Sequence, residues 1–199
     1  MIKNIIFDLG GVVVEWNPAR VLATFTGNPV LVNYISENGF SRGVWADFDR
    51  GAVDKEAFAR QWALLSGCPA EDCLELLEHV KHSLAPIPET ERLIEELSHR
   101  GFRLYCLSNM SEDHYNYLKV RPVFRFFDGQ VISALEKLVK PERAFYELIL
   151  QRYSLRADET LFIDDLECNL ATARALGIHT VHFTDVTTGI PAIRAAISR

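Results

Sequence analysis

The chain has 199 residues, with 21 lysines and arginines against 27 aspartates and glutamates, so its formal charge is -6, and 48% of it is hydrophobic. That length fits one domain, or a compact domain with a smaller insert, able to bury on the order of 70% of its unfolded surface without a metal or disulfide to hold it. The composition excludes disordered, collagen-like and coiled-coil chains, and the acidic balance speaks against a broad nucleic-acid-binding face while leaving room for a local pocket that holds one phosphate.

The first predicted element is a buried strand at Ile5-Ile6-Phe7, stopped by Asp8 and too short to be the apolar core of a signal peptide. From Asn17 to Leu84 no strand pattern appears. Helices are expected at Asp54 to Leu65, with Asp54 as the cap, and at Ala70 to Ser83, punctuated by Gly39, Gly43, Gly51, Gly67 and Pro69. A helix from Pro88 to Arg100 carries Leu93, Ile94 and Leu97 on one face and stops at Gly101. Strands follow at Arg103 to Leu107 and, more weakly, at Gly129 to Ile132. Pro141 opens a helix to Tyr153 with Phe145, Leu148 and Ile149 on one stripe. A strand at Thr160 to Ile163, a helix from Glu167 to Leu176 ended by Gly177, and a strand at Thr180 to Phe183 complete the series.

Strands alternating with helices predict an α/β fold: a Rossmann-like parallel sheet with helices on both faces. The strandless stretch reads as a small α-helical insert after the first strand. The expected division is a core of residues 1–16 and 85–199 and an insert of residues 17–84. No apolar run approaches the roughly 20 residues that span a bilayer. Cys68, Cys73, Cys106 and Cys168 form no C-x-x-C pair. Cys106 and Cys168 lie in or beside apolar runs and read as buried, inert thiols. The expectation is a soluble, cytoplasmic protein, monomeric or homodimeric, with no nucleic-acid or membrane partner.

The chemically informative residues stand at strand ends. Asp8 closes the first strand, Ser108-Asn109 the second and Asp164-Asp165 the fourth, while Lys140 precedes the Pro141 helix. In an open parallel sheet these ends share one edge, where ligands bind. Asp8 before Leu9-Gly10-Gly11 reads as a nucleophile or metal ligand beside glycines whose N-H groups approach an anion, or as an acid ending a strand at a turn. Ser108-Asn109 could bind a phosphoryl oxygen through the hydroxyl and a backbone N-H, or could cap a helix, a role open to Ser111 as well. Lys140 ahead of a helix opposes the helix dipole by about a few tenths of a kcal/mol unless an anion lies nearby or its ammonium swings into solvent. Asp164, Asp165 and Glu167 crowd three acids into four residues, and a hard cation, Mg2+ before Ca2+, relieves their repulsion most simply. His79 and His82 are three apart on a helix without a third ligand in register, and Trp16, Trp45 and Trp62 read as packing.

Together, Phe7-Asp8-Leu9-Gly10-Gly11-Val12, Leu107-Ser108-Asn109, Lys140-Pro141 and Phe162-Ile163-Asp164-Asp165 with Asn169 resemble the motifs of the haloacid dehalogenase (HAD) superfamily, in order and over nearly the whole chain. Within it they are most similar to the sugar-phosphatase branch typified by bacterial α-D-glucose-1-phosphate phosphatase. The resemblance implies an α/β core with a helical cap over residues 17–84. It implies a Mg2+-dependent phosphatase acting on a small phosphorylated metabolite, a sugar phosphate for choice. Asp8 would become an aspartyl-phosphate. Ser108, Asn109 and Gly11 would bind the phosphoryl group together with Lys140, which also neutralises charge on the nucleophile. Asp8, the Gly10 carbonyl, Asp165 and Asp164 would hold the metal, with Asn169 in support.

The family pattern places a second aspartate, a general acid-base, two residues after the nucleophile; here that residue is Gly10. General acid-base help is typically worth about 10²–10⁴-fold. Substrates with a good leaving group, such as anomeric sugar phosphates, would tolerate its loss, or a cap residue or metal-bound water would replace it. Two alternatives follow. One is a 2-haloacid dehalogenase, which lacks the second aspartate and needs no metal. The other is a catalytically weak phospholigand-binding protein. The candidates for lining the cap side of the site are Trp16, Asn17, Trp45, Asp47 and Arg50.

Overall fold

The computed structural model describes residues 1–198. Among them, five strands form one parallel sheet: β1 (Asn4–Phe7), β2 (Arg103–Ser108), β3 (Gly129–Ile132), β4 (Thr160–Asp164) and β5 (His179–His182), in the order β3-β2-β1-β4-β5. The chain winds outward from β1 through β2 to β3, then returns to lay β4 on the other side of β1. The reversal between β1 and β4 opens a crevice at their carboxyl ends, the usual ligand site of such sheets. Register puts Phe7 beside Cys106 on one side and Ile163 on the other, so Asp8 and Asp164 leave the sheet at the same level.

Both faces of the sheet are covered, which explains why its strands read as continuous apolar runs. Ile5, Phe7, Leu104, Cys106, Leu161 and Ile163 point to one face, and Ile6, Tyr105, Leu107 and Phe162 to the other, as the two-residue strand period requires. Between β1 and β2 lie five helices that fill the strandless stretch: α1 (Pro18–Thr24), α2 (Pro29–Asn38), α3 (Gly43–Asp49), α4 (Lys55–Ser66) and α5 (Ala70–Ser83). They have an apolar cluster of their own, including Trp45, Phe48, Phe58, Trp62, Leu76 and Leu77. Asp54 caps α4 as expected, accepting from Ala57 N at 2.7 Å. The two strands of chain leading in and out are stitched together: Glu15 N donates to Ala85 O at 2.8 Å and Ile87 N to Val13 O at 2.9 Å.

The core helices follow: α6 (Pro88–His99), α7 (Glu112–Leu118), α8 (Ser133–Glu136), α9 (Arg143–Arg152), α10 (Glu167–Ala175) and α11 (Val186–Ile197). Leu93, Ile94 and Leu97 of α6 and Ile193 of α11 pack on the Phe7 face; Phe145, Tyr146 and Ile149 of α9 and Leu170 and Ala173 of α10 pack on the Ile6 face. Three expectations are corrected. The helix expected from Pro141 begins at Arg143, with Glu142 at its cap position. Helix α11 was not foreseen, because Gly189 and Pro191 sit inside it. Cys168 is exposed, since α10 turns it outward beside the buried Asn169, whereas Cys106 is buried as read. No helix among the described residues is long and apolar enough to cross a membrane.

Candidate active site

The end of β1 makes a tight turn. Val13 N and Val14 N both donate to Leu9 O, at 2.8 and 2.9 Å, and Gly11 N donates to Val14 O at 2.8 Å. The Gly11 N-H is therefore spent inside the turn, and its expected role as a phosphate donor gives way to a steric one. Gly11 has φ +74°, and a Cβ there would lie 2.7 Å from Asp165 Oδ2. The residue leaves room for a carboxylate. Gly11→Ala combines a left-handed backbone with this clash, so we expect it to lower stability by roughly 1–3 kcal/mol and to displace Asp165, read by urea unfolding alongside a weakened response to Mg2+.

Lys140 anchors the site. It is 4% exposed, and its Nζ donates to Asp8 Oδ1 at 2.8 Å and Asp164 Oδ2 at 2.7 Å. It does not reach into solvent, and with α9 starting at Arg143 it does not sit against that helix's first turn either. Burial alone would lower its pKa; attraction to Asp8 and Asp164 outweighs that and holds the ammonium charged, above its ordinary range. Its backbone is braced by Asn109, whose Oδ1 accepts from Lys140 N at 2.8 Å and whose Nδ2 donates to Lys140 O at 2.9 Å. The brace occupies the Asn109 side-chain amide and does not involve its backbone N-H, the donor expected of Ser108-Asn109 toward a phosphoryl oxygen. Ser108 is buried at the end of β2 on the cavity wall, and its hydroxyl has no hydrogen-bond partner among the described residues. The cap of α7 is Ser111 alone, accepting from His114 N at 3.3 Å.

Asp164 is fully buried and its carboxylate is saturated. Besides Lys140 Nζ, it accepts from Leu166 N at 2.8 Å and from Asn169 Nδ2 at 2.9 and 3.1 Å. It serves as the counter-ion that holds Lys140 and stays within the acidic cluster of Asp8 and Asp165, with Asn169 in support. Asp8 differs. Its Oδ1 accepts from Leu9 N at 2.7 Å and from Lys140, while Oδ2 accepts no hydrogen bond among the described residues.

A divalent cation fits these donors. Ligand atoms of Asp8, Asp164 and Asp165 lie within 4.8 Å of one another, and the Gly10 carbonyl accepts no hydrogen bond among the described residues. One ammonium serves three carboxylates, and the surplus shows. Burial, reinforced by Asp164 and Asp165 and opposed by Lys140, raises the Asp8 carboxyl to about 7. Burial and then Asp164 raise Asp165. An all-oxygen donor set with unrelieved negative charge suits Mg2+ or Ca2+ and no softer metal. Asp8, Asp165 and the Gly10 carbonyl have the capacity to hold it.

Facing this cluster is a cavity of about 300 Å³. Its floor is Asp8, Gly10, Ser108, Lys140 and Asp165, and its apolar lining is Trp16, Phe40, Trp45, Val80, Leu84 and Met110. Of the cap-side candidates, Trp16, Trp45 and Arg50 line it. Asn17 instead caps α1, accepting from Arg20 N at 2.9 Å, and Asp47 is exposed away from it. Two titratable lining residues escaped sequence reasoning. His114 is buried and held neutral, its pKa lowered by burial to about 4. Asp49, the last residue of α3, was passed over for Asp47; a helical-wheel comparison with the buried Trp45 and Phe48 carried the only available signal.

A family model for haloacid dehalogenase-like hydrolases matches residues 2–177. The chain is 30% identical to sesquiterpene phosphatase astK of Aspergillus oryzae over 92% of its own length and 90% of that protein's. Its fold is similar to that of a HAD-like hydrolase from Porphyromonas gingivalis, with a TM-score of 0.84, 28% identity and coverage of 100% of this chain and 99% of the other. It is also similar to a HAD enzyme of Bacteroides thetaiotaomicron crystallised with magnesium and inorganic phosphate, at a TM-score of 0.78, 24% identity and coverage of 91% and 93%.

Proposed function

The chain belongs to the haloacid dehalogenase-like hydrolases, and from that premise we propose that it is a Mg2+-dependent phosphatase that transfers the phosphoryl group of a small monoester to Asp8. The observation that carries the reading is the pairing of one free carboxylate oxygen, Asp8 Oδ2, with a buried, charged Lys140 on the floor of the cavity. In this reading Asp8 attacks phosphorus through Oδ2 while Leu9 N and Lys140 fix the carboxylate through Oδ1. Lys140 shares its charge with the equatorial phosphoryl oxygens, which Ser108 meets with its hydroxyl. Asp8, Asp165 and the Gly10 carbonyl would hold Mg2+, which when bound supplies further neutralisation of the phosphoryl charge. The five helices of residues 17–84 act as the cap that closes over the ester and selects it.

The wall of Trp16, Phe40, Trp45, Val80, Leu84 and Met110 favours an alcohol with an apolar body over the sugar phosphate that the motifs alone suggest. The test is a phosphate-release screen spanning farnesyl phosphate, hexyl phosphate and glucose 1-phosphate, with and without chelator. We expect Mg2+-dependent release, fastest from the apolar esters. Preference for glucose 1-phosphate restores the sugar reading, chelator-resistant release of halide from 2-haloacids points to the dehalogenase, and no release at all points to a binding protein.

Metal binding competes with protonation of Asp8 and Asp165, both raised by burial, so it weakens as pH falls. The rise in Tm on adding Mg2+ should therefore be larger at about pH 7.5 than at about pH 5.5, where Asp8 is mostly protonated. A shift that does not depend on pH would argue that the ion binds elsewhere.

A further inference from the structure

A phosphomonoester leaves as an alkoxide unless a proton reaches its oxygen, and Gly10 cannot supply one. A Cβ at that position would stand in ordinary contact with Trp16, 3.4, 3.6 and 3.8 Å from its Cβ, Cγ and Cδ1, but the chain carries no side chain there. The other titratable groups on the cavity wall are Asp8, Asp49, Arg50, His114, Lys140 and Asp165. Asp8 is the nucleophile. Lys140 is locked between two carboxylates, and Asp165 sits on the metal side of the floor. The Arg50 guanidinium is paired with Glu142, at 2.6 and 3.1 Å. The His114 ring turns its Nε2 toward Leu77 O at 3.5 Å. That leaves one acid on the opposite, cap-side wall.

We propose that Asp49 is the general acid that protonates the leaving oxygen and then the general base for hydrolysis of the aspartyl-phosphate. The assignment rests on the phosphatase reading above. In the first half, Asp8 Oδ2 forms a bond to phosphorus while the bond from phosphorus to the ester oxygen breaks; the electron pair goes to that oxygen, which takes the Asp49 proton and departs as the alcohol. In the second half, water attacks phosphorus, its proton passes to the Asp49 carboxylate, and the bond from phosphorus to Asp8 breaks. The cycle returns inorganic phosphate, a free Asp8 carboxylate and a protonated Asp49.

Placement supports the role. Ser133 Oγ donates to Asp49 O at 2.5 Å and accepts from Met110 N at 2.8 Å, so one core hydroxyl joins the Asp49 backbone to the loop that follows Ser108. Two residues on, Gly51 with φ +70° lies so close to the core that a Cβ would stand 2.3 Å from Ala134 O. Lys137 donates from Nζ to Gly51 O, and Arg50 adds its pair with Glu142 and a bond to Lys137 O at 3.2 Å. The segment carrying the acid is thus fastened to the same stretch of core that carries Lys140. The carboxyl is desolvated, which pushes it up to about 7 even though the Trp45 indole and the Ser111 N-H pull it down. Lying at the negative end of α3 adds to the preference for the neutral form. An acid that titrates near neutrality can serve in both directions.

The experiment compares kcat/KM for hexyl phosphate and p-nitrophenyl phosphate, with Mg2+, in wild type and Asp49→Asn. Hexanol leaves poorly without a proton and nitrophenolate leaves well. We expect a loss on the order of 10²-fold on hexyl phosphate and a change within about threefold on p-nitrophenyl phosphate. Acid-quenched Asp49→Asn should also accumulate phosphorylated Asp8, seen by mass spectrometry, because the second half has lost its base. Asp49→Ser repeats the comparison if the amide disturbs the end of α3. Equal losses on both esters, or no loss on either, overturn the assignment and leave the phosphatase reading standing. A wild type that releases phosphate from neither ester overturns both.

Discussion

Asp8→Asn should abolish phosphate release, with kcat down on the order of 10⁴-fold or more, while the folded protein becomes no less stable at neutral pH and above. The activity follows from chemistry, since an amide nitrogen or oxygen at that position cannot form a hydrolysable acyl-phosphate. The stability follows from the raised carboxyl. Asp8 titrates at about 7 in the folded protein against an ordinary carboxylate value near 4, because it is buried beside Asp164 and Asp165. The folded state therefore binds that proton more tightly than the unfolded state does. The contribution of Asp8 to wild-type stability is highest below the unfolded value and is lost as pH rises through the window from about 4 to about 7. Asn has no proton to lose, so the difference in Tm between variant and wild type, with chelator present, should move in the variant's favour from about pH 5 to about pH 8. Residual turnover in the variant close to wild type would remove Asp8 as nucleophile; a Tm difference that runs the other way would mean that Lys140, not burial, governs the Asp8 carboxyl.

The second large effect is expected at Lys140. Lys140→Met removes the one ammonium between Asp8 and Asp164 and strands two carboxylates in a site that is nearly dry. Breaking a buried pair from one side costs about 3–5 kcal/mol, most of it the penalty of the charge left behind. Activity should vanish as well, since no other side chain on the cavity floor carries a positive charge. Lys140→Arg should not rescue either property, because the planar fork cannot present one nitrogen to both Asp8 Oδ1 and Asp164 Oδ2 within the space that Nζ fills. Urea unfolding measures the cost, and the double variant Lys140→Met with Asp164→Asn separates the causes. It should regain much of the stability and none of the activity. If the double variant is as unstable as the single, the loss lies in packing against the Phe162 ring, which sits 5.6 Å from Nζ, and not in charge.

How much of this could be read from the chain depends on the range of the interaction. The five strands were legible because burial on both faces makes them short apolar runs, and the acids at their ends were legible because a parallel sheet delivers all its carboxyl ends to one edge. That logic brought Asp8, Ser108, Lys140 and Asp164-Asp165 together correctly. It could not divide labour among them. Asp164 and Asp165 are neighbours in sequence, yet one is saturated by Lys140, Leu166 N and Asn169 while the other faces the cavity, and only the turn into α10 decides which. Nothing local shows that the Asn109 side-chain amide braces the Lys140 backbone 31 residues away. Asp49 was invisible for the same reason. Nothing local in Gly43–Asp49 announces that the end of this helix is fastened to Ser133 and Glu142, more than eighty residues downstream. Helix α11 was lost to a different cause, since Gly189 and Pro191 argue locally for a break that packing against β5 and α6 overrides.

The paired strands of chain at Val13–Glu15 and Ala85–Ile87 carry a consequence for how such a protein can change. Because Glu15 meets Ala85 and Val13 meets Ile87, the sheet sees the intervening stretch as a loop whose two ends are already closed. Closing a loop costs only about 0.6 kcal/mol more for each doubling of its length, so the core is nearly indifferent to what is spliced between those ends. The proposed nucleophile Asp8, Lys140 and the proposed metal donors all lie on the sheet side of the splice. Exchange of the spliced segment would rewrite the shape of the pocket and keep the phosphate chemistry, with one exception: it would also carry away Asp49. An exchanged segment would have to bring its own acid, or an aspartate would have to return at position 10.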